Sequence, residues 1–212
     1  DAVQAVGKIP IDLKTTKIDM LSLSGHKLHA PKGIGVLYLR RGCRFRPLLR
    51  GGHQERGRRA GTEASASIVA LGKACEMALA NMPKENTEVR RLRDKLEAGI
   101  LGQITHCFPT GDVANRLPNT CNIAFEYIEG EAILLLLNKL GIAASSGSAC
   151  TTMDSEPSHV LRALGLDDEM ADASLRFGLG RFNTAEEIDY TVKRVAEVVE
   201  QLRGLLVKES RY

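Results

Sequence analysis

A chain of 212 residues with 43% apolar side chains is long enough to bury a sizeable core in one large domain or two small ones, which excludes a disordered segment. The formal net charge is only +3, so no tail that coats a polyanion is indicated, and no apolar run approaches the ~20 residues of a bilayer span. The chain begins at Asp1 rather than Met, so an amino-terminal segment, with any targeting signal on it, is expected upstream.

Ile18 to Leu23 is a mostly apolar run that reads as a strand. Gly25 behind it permits a sharp turn that presents His26 and Lys27 at the strand's end, where α/β sheets bind ligands. A lysine there is either a solvated surface charge or a nucleophile whose amine is freed of its proton by burial or by neighbouring cations. The local pattern leaves both open. Eight arginines then crowd between Arg40 and Arg59, with Phe45 the lone aromatic among them. Base stacking is hardly provided for, so no nucleic acid is expected there, and an acidic protein surface is the other reading.

Glu63 to Leu79 places Ile68, Leu71, Cys75 and Leu79 at helical spacing, and Val89, Leu92 and Leu96 repeat it. Two amphipathic helices interrupted at Asn81-Met82-Pro83 are expected, and that break is the predicted junction between a domain 1–82 and a domain 83–212. Further on, Cys121, Ile123 and Phe125 alternate as in a strand, and Ile133 to Leu137 reads as a buried helix stopped by Gly141. This helix leads into Ala143 to Thr152, a run of Ala, Ser, Gly and Thr around Cys150. Such side chains are too small and polar to pack as core, which predicts a mobile loop carrying one thiol.

His159 stands at a helix start, more readily a polar surface residue than an acid or base. Ser174 to Gly180 sets Leu175, Phe177 and Leu179 against Arg176, a strand whose arginine faces away from the core, either as a solvated edge or free for a ligand. Thr184-Ala185-Glu186-Glu187 is a capping box, and Ile188, Val192, Val195, Val199, Leu202 and Leu206 continue it as a long closing helix.

Five cysteines, at 43, 75, 107, 121 and 150, contain no C-x-x-C pair, which argues against a zinc knuckle and a disulfide framework. Reduced thiols in a cytoplasmic setting fit that count. Cys75, Cys107 and Cys121 read as small buried hydrophobes, while Cys43 sits among arginines with no partner base. A loop cysteine such as Cys150 is either an incidental exposed thiol or a nucleophile.

Asp1 to Lys8, the run Leu23-Ser24-Gly25-His26-Lys27 with Pro31-Lys32-Gly33 behind it, Gly51 to Thr62, and Ser145 to Cys150 together resemble the cysteine desulfurases that depend on pyridoxal 5'-phosphate (PLP). The likeness is nearest the NifS type that serves nitrogenase assembly, and it runs from Asp1 to about Val199. It implies an α/β protein of the aspartate aminotransferase-like PLP-dependent transferase fold (fold type I), this chain being the C-terminal part of the large domain plus the small α/β domain.

The resemblance also implies roles. Asp1 would pair with the pyridine nitrogen of PLP, Gln4 with the ring hydroxyl, Ser24 and His26 with the phosphate, and Lys27 would form the Schiff base. Thr62 matches a phosphate contact supplied across a homodimer interface. Arg176 matches the substrate-carboxylate position, where a planar fork of donors fixes the amino acid by two parallel bonds. Cys150 matches the thiol that takes sulfur from L-cysteine as a persulfide, leaves L-alanine, and passes the sulfur to an iron-sulfur scaffold or another acceptor protein.

Two features depart from the family pattern. Thr151-Thr152-Met153-Asp154 stands where relatives place a small, glycine-containing run, which bears on loop reach and acceptor preference. A member would also carry, before Asp1, a glycine-threonine phosphate loop, a histidine stacked on the ring and an asparagine at the cofactor. Two alternatives therefore stand: another PLP enzyme, such as a selenocysteine lyase or an aminotransferase, and a catalytically inactive fragment that only binds or dimerises.

Overall fold

The computed structural model describes residues 1–146 and 157–209, with side chains described as far as residue 205. The chain divides into two compact units, Asp1–Pro83 and Lys84–Tyr212.

In the first unit β1 (Met20–Ser24) and β2 (Gly35–Leu39) pair antiparallel, in register from Met20↔Leu39 to Ser24↔Gly35. The strand expected over 18–23 is thus present, displaced slightly toward its C-terminal end. The amino-terminal residues are stitched to β1 by the Ala2 amide, which donates to the Ser22 carbonyl at 3.0 Å, and they turn because Ala5 and Val6 both donate to the Ala2 carbonyl. A single turn, α1 (Gln54–Gly57), contains left-handed Glu55 and Arg56, and α2 spans Ser65–Lys84. The core of this unit is small: Leu28, Leu71 and Ala74, with Val6, Leu23 and Ile34 partly buried around them.

Two expectations for α2 fail. The helix does not stop at 81–83: Pro83 lies inside it, and Glu85–Val89 form a π turn that runs on into α3 (Arg90–Gln103). Proline deletes one donor of the i→i−4 ladder, and a wider turn just after it lets the backbone stay helical instead of breaking. The predicted apolar stripe is also largely uncovered. Leu71 is buried, but Ile68 is 42% exposed, Leu79 70% exposed, and Cys75 is exposed rather than a core hydrophobe. Spacing records which residues share a helix face, not what covers that face.

The second unit is a two-layer sandwich of helices on an antiparallel sheet of order β3-β4-β6-β5. The strands are β3 (Cys107–Pro109), β4 (Thr120–Phe125), β5 (Ser145–Ser146) and β6 (Ser174–Gly178). Alternation sends Cys121, Ile123 and Phe125 of β4 and Leu175 and Phe177 of β6 to one face, all nearly fully buried. Leu92, Leu96 and Ile100 of α3, Ile133 and Leu137 of α4 (Gly130–Lys139), and Ile188, Val192, Val195 and Val199 of α7 (Ala185–Glu209) close over them. Each such side chain contributes about 1.5–3 kcal/mol by leaving water.

Short helices α5 (His159–Ala163) and α6 (Asp168–Asp172) precede β6. The helix after Glu129 ends as expected at Gly141, whose φ of +77° favours glycine, yet it is amphipathic rather than buried all round, with Leu135 58% exposed. The capping box forms reciprocally: Glu187 N donates to Thr184 Oγ1 at 3.3 Å, and Thr184 N donates to Glu187 Oε2 at 3.1 Å. No helix among the described residues is long and apolar enough to cross a membrane.

Candidate functional site

The chemistry-bearing turn of the first unit follows directly from β1. Strand pairing ends at Ser24, the Gly25 amide donates to the Ile34 carbonyl at 2.8 Å, and residues Gly25–Leu28 tighten into a 3₁₀ turn. A Cβ on Gly25 would stand 2.7 Å from Ile34 Cγ2 and 3.0 Å from the Ile34 carbonyl oxygen, so only glycine lets the turn pack this close. Leu28 plugs the small core, and His29 closes the turn in the left-handed region at φ 66°. With Leu28 inward, His26 and Lys27 are thrown outward and exposed.

Ser24 Oγ lies 2.7 Å from His26 Nδ1, which holds the imidazole and leaves Nε2 for a ligand. Lys27 makes no ion pair with any described residue. Asp1 uses one carboxylate oxygen to accept from the Val3 amide at 2.7 Å, and the exposed Gln4 lies on the same short turn, tethered to β1 through Ala2. The structure therefore brings Ser24 and His26 into direct contact and sets Asp1 and Gln4 beside the strand that carries them. Thr62 is exposed, in the segment leading into α2, and no hydrogen bond links it to this turn.

In the second unit Arg176 occupies β6 between β4 and β5, opposite Asn122 on one side and Ser145 on the other. It faces away from the core, as its alternation with Leu175 and Phe177 requires, and it is half-buried. Among the described residues it makes no ion pair. Ser145–Ser146 pair with Arg176 and Leu175, so the segment leading to Cys150 starts from the strand beside that arginine. Cys150 itself lies outside the described residues.

The other thiols of this unit are poor nucleophiles. Burial, with a smaller push from Glu97, raises the Cys121 pKa to about 12, and burial also raises that of Cys107, against the pull of Arg203. A cavity of about 600 Å³ between the start of α7 and the end of β6, lined by Ile142, Phe177, Asn183 and Tyr190, includes none of the expected site residues. No group of three His, Cys, Asp or Glu suited to a metal ion occurs among the described residues.

Sequence reading passed over Asn122 and Thr110. Their one signal was position: Asn122 is the polar residue between Cys121 and Ile123, and hence faces the same side as Arg176.

The aminotransferase class-V family model matches residues 1–191. The chain is 69% identical over 205 residues to the cysteine desulfurase NifS of Azotobacter vinelandii and 61% identical over 205 residues to a cysteine desulfurase of Gluconacetobacter diazotrophicus, covering 97% of this chain and 51% of each relative. It thus spans about half the length of the curated relatives it matches. Among solved structures, a NifS-like protein superposes with TM-score 0.84 at 37% identity, covering 95% of this chain and 52% of the other. A NifS-like protein from Rickettsia africae gives 0.85 at 29% identity, with coverages of 94% and 52%.

Proposed function

Because the chain belongs to the aminotransferase class-V family and has that family's α/β fold, we propose that it carries the lysine and the thiol of a cysteine desulfurase, converting L-cysteine to L-alanine and an enzyme-bound persulfide. The observation that carries this reading is the turn after β1, which exposes Lys27 next to an imidazole pinned by the Ser24 hydroxyl.

These residues fit PLP. A serine hydroxyl and an imidazole offer donors to a phosphate, an exposed primary amine can condense with an aldehyde, and the free oxygen of Asp1 suits a protonated ring nitrogen. When bound, PLP supplies an electron sink for the substrate's α-carbon. The rest falls to the chain. Lys27 Nζ would hold the cofactor through its aldehyde carbon and, when free, would carry a proton to or from the substrate. Arg176 holds the substrate carboxylate by two parallel bonds, for which its lack of an ion-pair partner among the described residues leaves it available. The Cys150 sulfur bonds to the substrate sulfur as the substrate's carbon–sulfur bond breaks, the electron pair staying with the carbon.

The sulfur then passes to an iron-sulfur scaffold or another acceptor protein, in nitrogenase maturation by the likeness to NifS. Thr62 would complete the phosphate site of the neighbouring subunit in a homodimer. The free thiols at 43, 75, 107 and 121 suit a reducing, cytoplasmic setting.

The test uses the complete PLP-loaded protein. Cys150→Ala should abolish alanine formation from cysteine while leaving the visible absorbance of bound PLP intact, and Lys27→Ala should remove that absorbance band. Undiminished turnover in Cys150→Ala would replace the desulfurase reading with an aminotransferase one.

A further inference from the structure

The face of the second sheet that turns away from the core carries a row of polar side chains running across the strands. Thr110, just past β3, donates its amide to the Asn122 carbonyl at 2.9 Å; Asn122 is in register with Arg176; Arg176 is in register with Ser145. Side chains directly opposed on one sheet face have their Cβ atoms about 4.5–5.5 Å apart. Asn122 Nδ2 donates to Thr110 Oγ1 at 2.6 Å, and Thr110 is only 9% exposed, so the bond is sheltered and sets the rotation of the amide. The nitrogen and oxygen of an amide diverge from one carbon. With its nitrogen engaged by Thr110, the Asn122 carbonyl oxygen is the end of the amide left without a donor among the described residues, on the strand next to the one that carries Arg176. None of the outward-facing residues of β3, β4 and β6 is a carboxylate, so this oxygen is a neutral acceptor on the face that carries Arg176, a cation without an ion-pair partner among the described residues.

We propose that Asn122, locked by Thr110, is the positioning residue that orients Arg176 for the substrate carboxylate. The role rests on the reading of Arg176 as the carboxylate anchor. A guanidinium has five N–H donors in a fixed fork and a long, flexible stem. In the ligand-bound protein, one bond to a neutral amide would steady the stem and leave the outer pair of donors and the full charge for the ligand. An aspartate at 122 would instead fill the fork with an internal counter-ion.

That contrast separates orientation from packing. In the PLP-loaded holoenzyme, Asn122→Asp should raise KM for L-cysteine about tenfold or more, the loss expected when a charge-assisted hydrogen bond to a ligand is displaced, with kcat nearly unchanged. Asn122→Leu, which removes the acceptor without supplying a charge, should raise KM less. A packing role predicts the reverse order, because aspartate is nearly isosteric with asparagine and can accept from the Thr110 hydroxyl where asparagine donates to it. Inhibition by 2-aminoethanethiol, which lacks the carboxylate, should be equal in wild type and Asn122→Asp; an equal loss for both ligands would overturn the proposal.

Arg176→Gln is the control. If it leaves KM unchanged, the anchor reading itself falls. If it raises KM and Asn122→Asp does not, only the role of Asn122 falls. Should the position-122 variants fail to fold, Thr110→Val should raise KM and Thr110→Ser restore it, and an unchanged KM in Thr110→Val would overturn the proposal.

Discussion

Cys121 illustrates how surroundings decide what a side chain does. The residue is 1% exposed on β4, and burial pushes its pKa up to about 12 from an ordinary 9.0. Below pH 9 the thiol is neutral in folded and unfolded chains alike, and its contribution to stability is fully present. Above pH 9 the unfolded chain ionises first, so that contribution is lost progressively as pH rises toward about 12, at up to about 1.4 kcal/mol per pH unit. Urea unfolding of wild type and Cys121→Val from pH 8 to 11 checks the sign: wild type should lose stability relative to the valine variant above pH 9, and parallel curves would refute it. Cys121 was legible in sequence because alternation with Ile123 and Phe125 fixed its face. Cys75 was not, since its helix face has no cover among the described residues. The Asn122–Thr110 bond was also out of reach, because it joins two strands whose pairing no local pattern states.

Elements were easier to read than their partners. The capping box at Thr184, the glycine stop at 141 and the strand around Arg176 are all local chemistry, and all are present. The continuation of α2 past Pro83 was missed because a proline signals a lost donor but not whether a wider turn absorbs it. Sheet order was missed for the same kind of reason: β6 inserts between β4 and β5, against chain order.

Close approach between elements sets the sharpest stability expectation. A Cβ on Gly130, at the start of α4, would fall 2.5 Å from the Asp172 carbonyl oxygen, a backbone atom that cannot rotate away. Gly130→Ala should therefore destabilise more than Thr184→Ala, whose lost cap costs about 1 kcal/mol. Urea midpoints of the two variants give the comparison, and an equal or smaller loss at Gly130 would show that the backbone yields there.

At the scale of the whole molecule, apolar burial is divided unequally. Residues 84–212 hold a continuous core from α3 through α7, whereas residues 1–83 bury chiefly Leu28, Leu71 and Ala74 and leave Met20, Val36, Leu37, Val69 and Leu79 exposed. Expressed separately, 84–212 should unfold in one cooperative thermal transition and 1–83 should show none; calorimetry of each distinguishes these outcomes. The two sheets differ in a further respect. In the second, both outermost strands are very short among the described residues, two residues in β5 and three in β3, and β3 ends at Pro109, which has no amide hydrogen to offer a newcomer. The hairpin of β1 and β2 has five residues on each strand; the Ala2 amide bonds to Ser22 of β1, but β2 has no such fence among the described residues. Misassembly of the isolated polypeptide into insoluble clumps should accordingly start along residues 20–39, and a lysine placed on an outward position of β2 should keep more of it in the supernatant.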